Sequence, residues 1–222
     1  MIPSQVIATG RYQQFFAGEP CGDEVWRLET GAGEIVVAGE HTLVAPHPLP
    51  NVHRYRVALS AEWRVKSLDV EWQVGGRELV ANHAVEGTRW RAHIESQGHA
   101  RSQEGDYPLG CEVEYPTHLF NTFMLSKRDF ALGGEHEFAV LRIGPPLMAV
   151  SPAQMLLRCV EHGTVEGPNG PVAAKRYVLS VPPAPESEGY TFWADEHDIV
   201  LASFEGLDTT RPWMTLVEYQ RL

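Results

Sequence analysis

The sequence predicts a mainly β fold in which an antiparallel, curved sheet wraps around one short core helix. Three observations lead there. Most of the chain alternates apolar and polar residues with a period of two, which is the spacing of a half-buried strand. Glycine-bearing turns separate several of these runs, as hairpins require. One segment, Thr117–Ser126, leaves that period and is apolar at helical spacing. At 222 residues and 43% hydrophobic content the chain is long enough to bury a core as one domain, 1–222, without a disulfide staple.

In chain order, Ala45-Pro46-His47-Pro48-Leu49-Pro50 reads as a loop, because its prolines cannot donate to a ladder. Tyr55, Val57 and Leu59 then alternate with Arg56, Ala58 and Ser60, and Leu68, Val70, Trp72 and Val74 with Asp69, Glu71 and Gln73. Gly75-Gly76 follows and supplies the positive φ of a tight hairpin, with Arg77–Val85 returning. Trp90, Ala92 and Ile94 alternate with charged neighbours, and Cys111, Val113 and Tyr115 with Glu112 and Glu114. Pro116 precedes the helical segment, where Thr117 is the expected N-cap and Leu119, Phe120, Phe123 and Met124 form the apolar face. Phe138–Ile143 is apolar on both faces, as in a strand covered on two sides or lining a cavity. Met155–Val160 is ambiguous: Ser151-Pro152-Ala153-Gln154 has the form of a capping box, yet the run fits a strand equally well. Gly167–Pro171 and Pro182–Pro185 are loops, Tyr190–Asp195 and Ile199–Phe204 flank a turn at Glu196-His197-Asp198, and Trp213–Gln220 closes the chain as a strand.

The charge balance excludes two partner classes. A net charge of −11 without any basic run disfavours nucleic acid and an anionic membrane surface. No apolar run approaches the roughly 20 residues of a membrane span, so no membrane insertion is expected. The three cysteines, Cys21, Cys111 and Cys159, form no CxxC pair, and the N-terminus lacks the marks of a secretory leader. A cytoplasmic protein with free thiols is the expectation.

Sites of chemistry are sparse. The ten histidines include His41, His47 and His53 at intervals of six, but the intervening prolines are expected to break any element that would align them. No zinc-ligand spacing, nucleophile elbow or phosphate-cradling glycine loop occurs, and no cofactor or metal is expected. Cys111, between apolar neighbours on a strand, reads as a small buried hydrophobe. Trp63, Trp72, Trp90, Trp193 and Trp213 are placed in strands, as packing aromatics. The most suggestive group is Glu112 and Glu114, two apart on one strand face, with His118 and Asn121 just beyond. Arg64, in a strand between Trp63 and Val65, is a candidate partner for the acids. This group reads as the polar floor of an apolar ligand pocket, as an ordinary solvated strand face, or as a salt bridge tying the helix to the sheet.

The ordered motifs resemble a family of bacterial proteins named for glycolipid binding and of otherwise unknown function. The likeness begins at Tyr55-Arg56-Val57 and Trp63-Arg64-Val65-Lys66. It continues through Gly110-Cys111-Glu112-Val113-Glu114, Asn121-Thr122 and the Leu147–Gln154 stretch, and ends at the hairpin Phe192–Phe204. The family has aspartates where this chain has Glu112 and Glu114, and a Leu-Pro where it has Phe123-Met124. The resemblance implies a spiral β-roll or half-barrel, distantly similar to lipoprotein carriers, and a strand at Met155–Val160. It implies an amphiphilic or lipid-like ligand, with Trp63, Arg64, Glu112, Glu114, His118 and Asn121 as binding residues. Two other functions stay open: a hydrolase or isomerase using Glu112 or Glu114 as base and His118 as acid, and a structural module without a ligand. Oligomeric state is not legible.

Overall fold

The computed structural model describes residues 5–31, 33–144, 147–185 and 189–222. Among them are fifteen strands and one α-helix, so the mainly β expectation holds. The chain divides into two compact units.

The first unit contains β1 (Gln5–Phe16), β2 (Glu19–Gly31), β3 (Glu34–Leu43), β4 (Asn51–Ser60), β5 (Val65–Val74), β6 (Arg77–Glu86), β7 (Arg89–Ser96) and β8 (His99–Asp106). Each strand pairs antiparallel with the next, giving the meander order β1 to β8. Period-two patterning explains the register. In β5, Val65, Leu68, Val70 and Trp72 are buried while Lys66, Asp69, Glu71 and Gln73 are exposed, so one face is covered and the other solvated. The Gly75-Gly76 turn adopts positive φ at both residues, 56° and 72°, which a two-residue hairpin needs.

Two expectations for this unit are corrected. Trp63 and Arg64 do not lie in a strand. They fall in the connection between Ser60 and Val65, where Trp63 takes φ 62° and its N–H donates to the Ser60 carbonyl at 3.0 Å. The Ser60 hydroxyl accepts from Glu62 and Arg64 backbone N–H groups at 3.3 and 3.4 Å, so a side chain organises this turn locally. The prolines after Val44 do not misalign the histidines either. They confine the loop between β3 and β4, and Leu43 pairs with Asn51 across it. His47 is the midpoint of that hairpin, so His41 and His53 become direct cross-strand partners.

The second unit contains β9 (Glu112–Glu114), α1 (Leu119–Leu125), β10 (Glu135–Gly144), β11 (Ala149–Gly167), β12 (Gly170–Ser180), β13 (Tyr190–Asp195), β14 (Val200–Glu205) and most of β15 (Pro212–Arg221). Its strand order is β15-β14-β13-β12-β11-β10-β9. Here the sheet departs from the antiparallel expectation, because β9 and β10 run parallel. Parallel neighbours need a crossover connection, and the segment carrying α1 is that connection. All seven residues of α1 are buried, the polar Asn121 and Thr122 included. Its N-cap is His118, not Thr117; the Thr117 hydroxyl accepts a long bond, 3.4 Å, from the Leu119 N–H.

The ambiguity at Met155–Val160 resolves as strand. Met155, Leu157 and Cys159 are buried and their neighbours are not, a period of two that outweighs the local capping signal. The two-sided strand is also present, since adjacent Val140 and Leu141 are both buried in β10.

Candidate functional site: a buried polar row in the first unit

The four expected site residues of the second unit sit together around α1, and each is engaged by the protein. Glu112 is buried, and its carboxylate oxygens are taken by Lys127 and by Arg128, the latter at 2.7 Å. Arg128 also donates to the Met124 carbonyl at 2.7 Å and lies 4.6 Å from the Phe138 ring centroid. It therefore caps the C-terminus of α1, where a cation is favoured, and ties the helix to β9 and β10. Glu114, on the same strand face but less buried, pairs with Arg142 at 2.8 Å. The Asn121 Oδ1 accepts from the Tyr190 hydroxyl at 2.6 Å, and His118 Nδ1 meets the Ser203 hydroxyl at 3.0 Å while its ring packs 4.5 Å from Trp213. The salt-bridge reading of the acids is thus what their geometry shows. Arg64 is not their partner: its guanidinium donates to the Gly87 and Tyr107 carbonyls at 3.1 and 2.9 Å and stacks 4.4 Å over the Tyr107 ring.

A different group was missed. Cross-strand register in the first unit aligns Tyr12, Glu24, His41, His53 and Trp72 side by side on the buried face of β1 to β5. The parallel row beside it contains Gly10, Trp26, Gly39, Tyr55 and Val70. His83, paired with Leu68, faces the same way two rows on. The remaining residues of this face are mainly apolar, including Val37, Val57, Leu59, Leu68 and Ala81.

Glycine makes the arrangement possible. A methyl at Gly39 would overlap the Tyr55 ring and hydroxyl, and one at Gly10 would overlap the Trp26 indole. With only hydrogen at Gly39, Tyr55 lies across β3 and its hydroxyl donates to Glu24 Oε1 at 2.5 Å. His41 Nδ1 and His53 Nε2 are 3.0 Å apart, their rings edge-on at 4.5 Å, and the His53 ring meets Trp72 at 4.9 Å. Burial drives the imidazoles toward the neutral form: His41 is lowered to about 4 by burial and then by His47, and His83 to about 4 by burial against the opposing pull of Asp69. Burial first, and then His41, lowers His53 too.

Within this patch several deeply buried polar atoms have no hydrogen-bond partner: Trp26 Nε1, Trp72 Nε1, His41 Nε2, both ring nitrogens of His83, and Asn51 Oδ1. Each such atom costs about 1–3 kcal/mol. Native interiors contain only a few, so a cluster of them asks for a functional reason.

The row runs into a concavity of about 510 Å³ at the hairpin ends, lined in part by Leu43, Val44, Asn51, Val74 and Arg77. Leu43, Asn51 and Val74 lie two residues beyond His41, His53 and Trp72, hence on the same face. Val44 and Leu49 beside the concavity are exposed, as is Phe16, whose ring meets His47 edge-on at 5.7 Å.

The signal for this site was present in the sequence. Residues equidistant from a hairpin's midpoint face each other, and the spacing of His41 and His53 about His47 meets that condition. Glu24, Tyr55 and His83 carried no comparable signal, because their burial depends on a register that only the assembled sheet sets.

The family model described as "Putative glycolipid-binding" matches residues 18–180, most of the chain. The chain belongs to that family. The matched span includes the buried row from Glu24 to His83 and the segment around α1, and it ends before the Phe192–Phe204 hairpin. Among solved structures, a DUF1089-family protein from Pseudomonas aeruginosa is similar at 15% identity with a TM-score of 0.52, covering 80% of this chain and 87% of its own. A β-barrel-like protein of the domain of unknown function DUF1849 from Brucella abortus is similar at 10% identity with a TM-score of 0.55, covering 100% and 98%. At such identities the likeness concerns the fold. No curated protein matches. Among the described residues no helix is long and apolar enough to cross a membrane, no group of three potential ligands could hold a metal, and the cysteines, all buried, are in no disulfide.

Proposed function

We propose that this protein is a non-catalytic binder of an amphiphilic, lipid-like molecule, held by the buried face of the first unit. The observation that carries the reading is the cluster of deeply buried, unpartnered polar atoms on an otherwise apolar sheet face. Ligand pockets have that composition: mostly apolar walls with a few placed polar groups. Membership of a family described by glycolipid binding supports the same ligand class. The enzyme alternative finds less support, because both Glu112 oxygens and the Nδ1 of His118 are already engaged within the protein. Three buried thiols outside any disulfide are consistent with a reducing compartment, and we place the protein in the cytoplasm.

The test is direct. The purified protein is extracted with chloroform–methanol and the extract analysed by mass spectrometry, and n-dodecyl-β-D-maltoside and n-dodecylphosphocholine are titrated against tryptophan fluorescence. The reading expects a co-extracted amphiphile or saturable binding of at least one detergent below its critical micelle concentration. Neither result in a folded sample overturns it.

A further inference from the structure

This inference goes beyond the binding reading above, on which it rests only for its purpose, and concerns one end of the first unit. We propose that the end formed by the β1–β2, β3–β4 and β5–β6 connections docks on the surface of an electrically neutral lipid bilayer, beside which the concavity takes up its amphiphile.

Alternate turns of an antiparallel meander fall at the same end, so these three connections lie together. Contacts join them. The Phe16 ring meets His47 edge-on at 5.7 Å, and the Val44 N–H donates to the Cys21 carbonyl at 2.7 Å. The concavity is lined by Val44 and Pro50 from one connection and by Gly75 and Gly76 from the next. On this end Phe16, Val44 and Leu49 are 42%, 51% and 47% exposed, three large apolar side chains that the fold leaves uncovered.

Charge distinguishes this end from the other. No Lys, Arg, Asp or Glu occurs between Glu40 and Arg54, in a chain with 21% charged residues. The connections at the opposite end carry Glu62, Glu86 and Arg89, all exposed. The docking end does have Glu19, paired with Phe16, and Arg77 and Glu78 in the lining of the concavity. That is one cation against two acids on a chain of net charge −11, so an anionic leaflet repels it and a neutral one does not.

The backbone of residues 44–50 is prepared to leave water. Pro46, Pro48 and Pro50 have no N–H. The His47 N–H donates to the Val44 carbonyl at 3.0 Å and the Leu49 N–H to His47 Nδ1 at 3.1 Å, beside the Val44 bond already described. Every position of the loop but Ala45 therefore has no N–H left to hydrate. An unpaired donor carried into an apolar medium is costly, and this loop largely avoids that cost. A protein partner binds through about one hydrogen bond per 100–200 Å² of interface, and this loop offers few donors for them. A bilayer requires none.

The experiment floats the full chain on a sucrose gradient with phosphatidylcholine vesicles, and with vesicles of phosphatidylcholine and phosphatidylglycerol in equal parts. Phe16→Ser, Leu49→Ser and the double variant are run beside it, each checked by circular dichroism. Both side chains are exposed and neither lines the concavity, so n-dodecyl-β-D-maltoside binding below the critical micelle concentration should be kept by all three. The unaltered chain is expected to float with phosphatidylcholine and less with the anionic vesicles, a difference that salt should narrow. Each single variant should lower the floated fraction several-fold, and the double variant should stay at the bottom. An unaltered chain that does not float, or a double variant that floats as well, overturns the docking inference while detergent binding keeps the amphiphile reading. Flotation that depends on Phe16 and Leu49 without any detergent binding supports docking and overturns the amphiphile reading alone. A dimer of the unaltered chain that the same substitutions dissociate in sedimentation assigns this end to a second copy and overturns the bilayer as its partner.

Discussion

The two units bury polar groups in opposite ways. In the second, the charged and amide side chains around α1 are matched: Glu112 with Lys127 and Arg128, Asn121 with Tyr190, His118 with Ser203. The hydroxyl of Thr122 and the Nε of Arg176 in that unit are exceptions. In the first, the row of neutral histidines, indoles and one amide carries a concentration of unmatched atoms. A matched cluster of charges holds a helix in place, and breaking it leaves a charge uncompensated. An unmatched cluster of neutral groups leaves its desolvation cost uncompensated. It persists where something other than the fold has a use for it.

This contrast can be broken or sharpened by substitution. The largest effect is expected from Glu112→Ala, which strands Lys127 and Arg128 beside α1. It should lower unfolding stability by about 3–5 kcal/mol, read as a fall in the urea midpoint. A shift of less than about 1 kcal/mol would mean that the triad is no more than a surface pair.

Acid comes next. The folded-state values of His41 and His83 lie near 4, below the 6.5 of the unfolded chain. The unfolded state therefore binds more protons between those limits. The stability these histidines contribute is whole above pH 6.5 and is lost as pH falls toward 4, by on the order of 2–3 kcal/mol each. Urea midpoints at pH 7.5, 5.5 and 4.5 should decline, and His83→Phe should flatten the decline. A profile indifferent to that substitution would remove His83 from the account.

Smaller, and opposite in sign to the first, is the effect of His83→Phe at pH 7.5. Replacing an unpartnered imidazole by an apolar ring of similar size should leave stability unchanged or raise it by up to about 1 kcal/mol. A loss above about 2 kcal/mol would show that His83 is matched after all. Smallest is Glu114→Ala: its pair with the half-exposed Arg142 should be worth less than about 1 kcal/mol in the same assay.

Legibility differed between the two clusters for a physical reason. The acids of β9 and the residues of α1 are neighbours in sequence, so strand and helix spacing placed Glu112, Glu114, His118 and Asn121 near one another without coordinates. What spacing could not supply was their partners. Lys127 and Arg128 reach Glu112 because the chain turns back after α1, and Tyr190 and Ser203 arrive from strands 69 and 85 residues away. The polar row was nearly invisible, being spread over β1 to β6. Trp63 was misplaced because its neighbours alternate like a strand, whereas the Ser60 hydroxyl and a left-handed backbone make a turn there.

Strand and helix content, the hairpin at Gly75-Gly76 and the burial of α1 were written in the order of residues, because alternation and turn chemistry are local and act over a few positions. The strand at Met155–Val160, the parallel pairing of β9 with β10, and the alignment of Glu24, His41, His53 and Trp72 awaited the folded sheet. Register is set by the whole face being buried together, and a residue's cross-strand neighbour is a property of that face and not of its own segment.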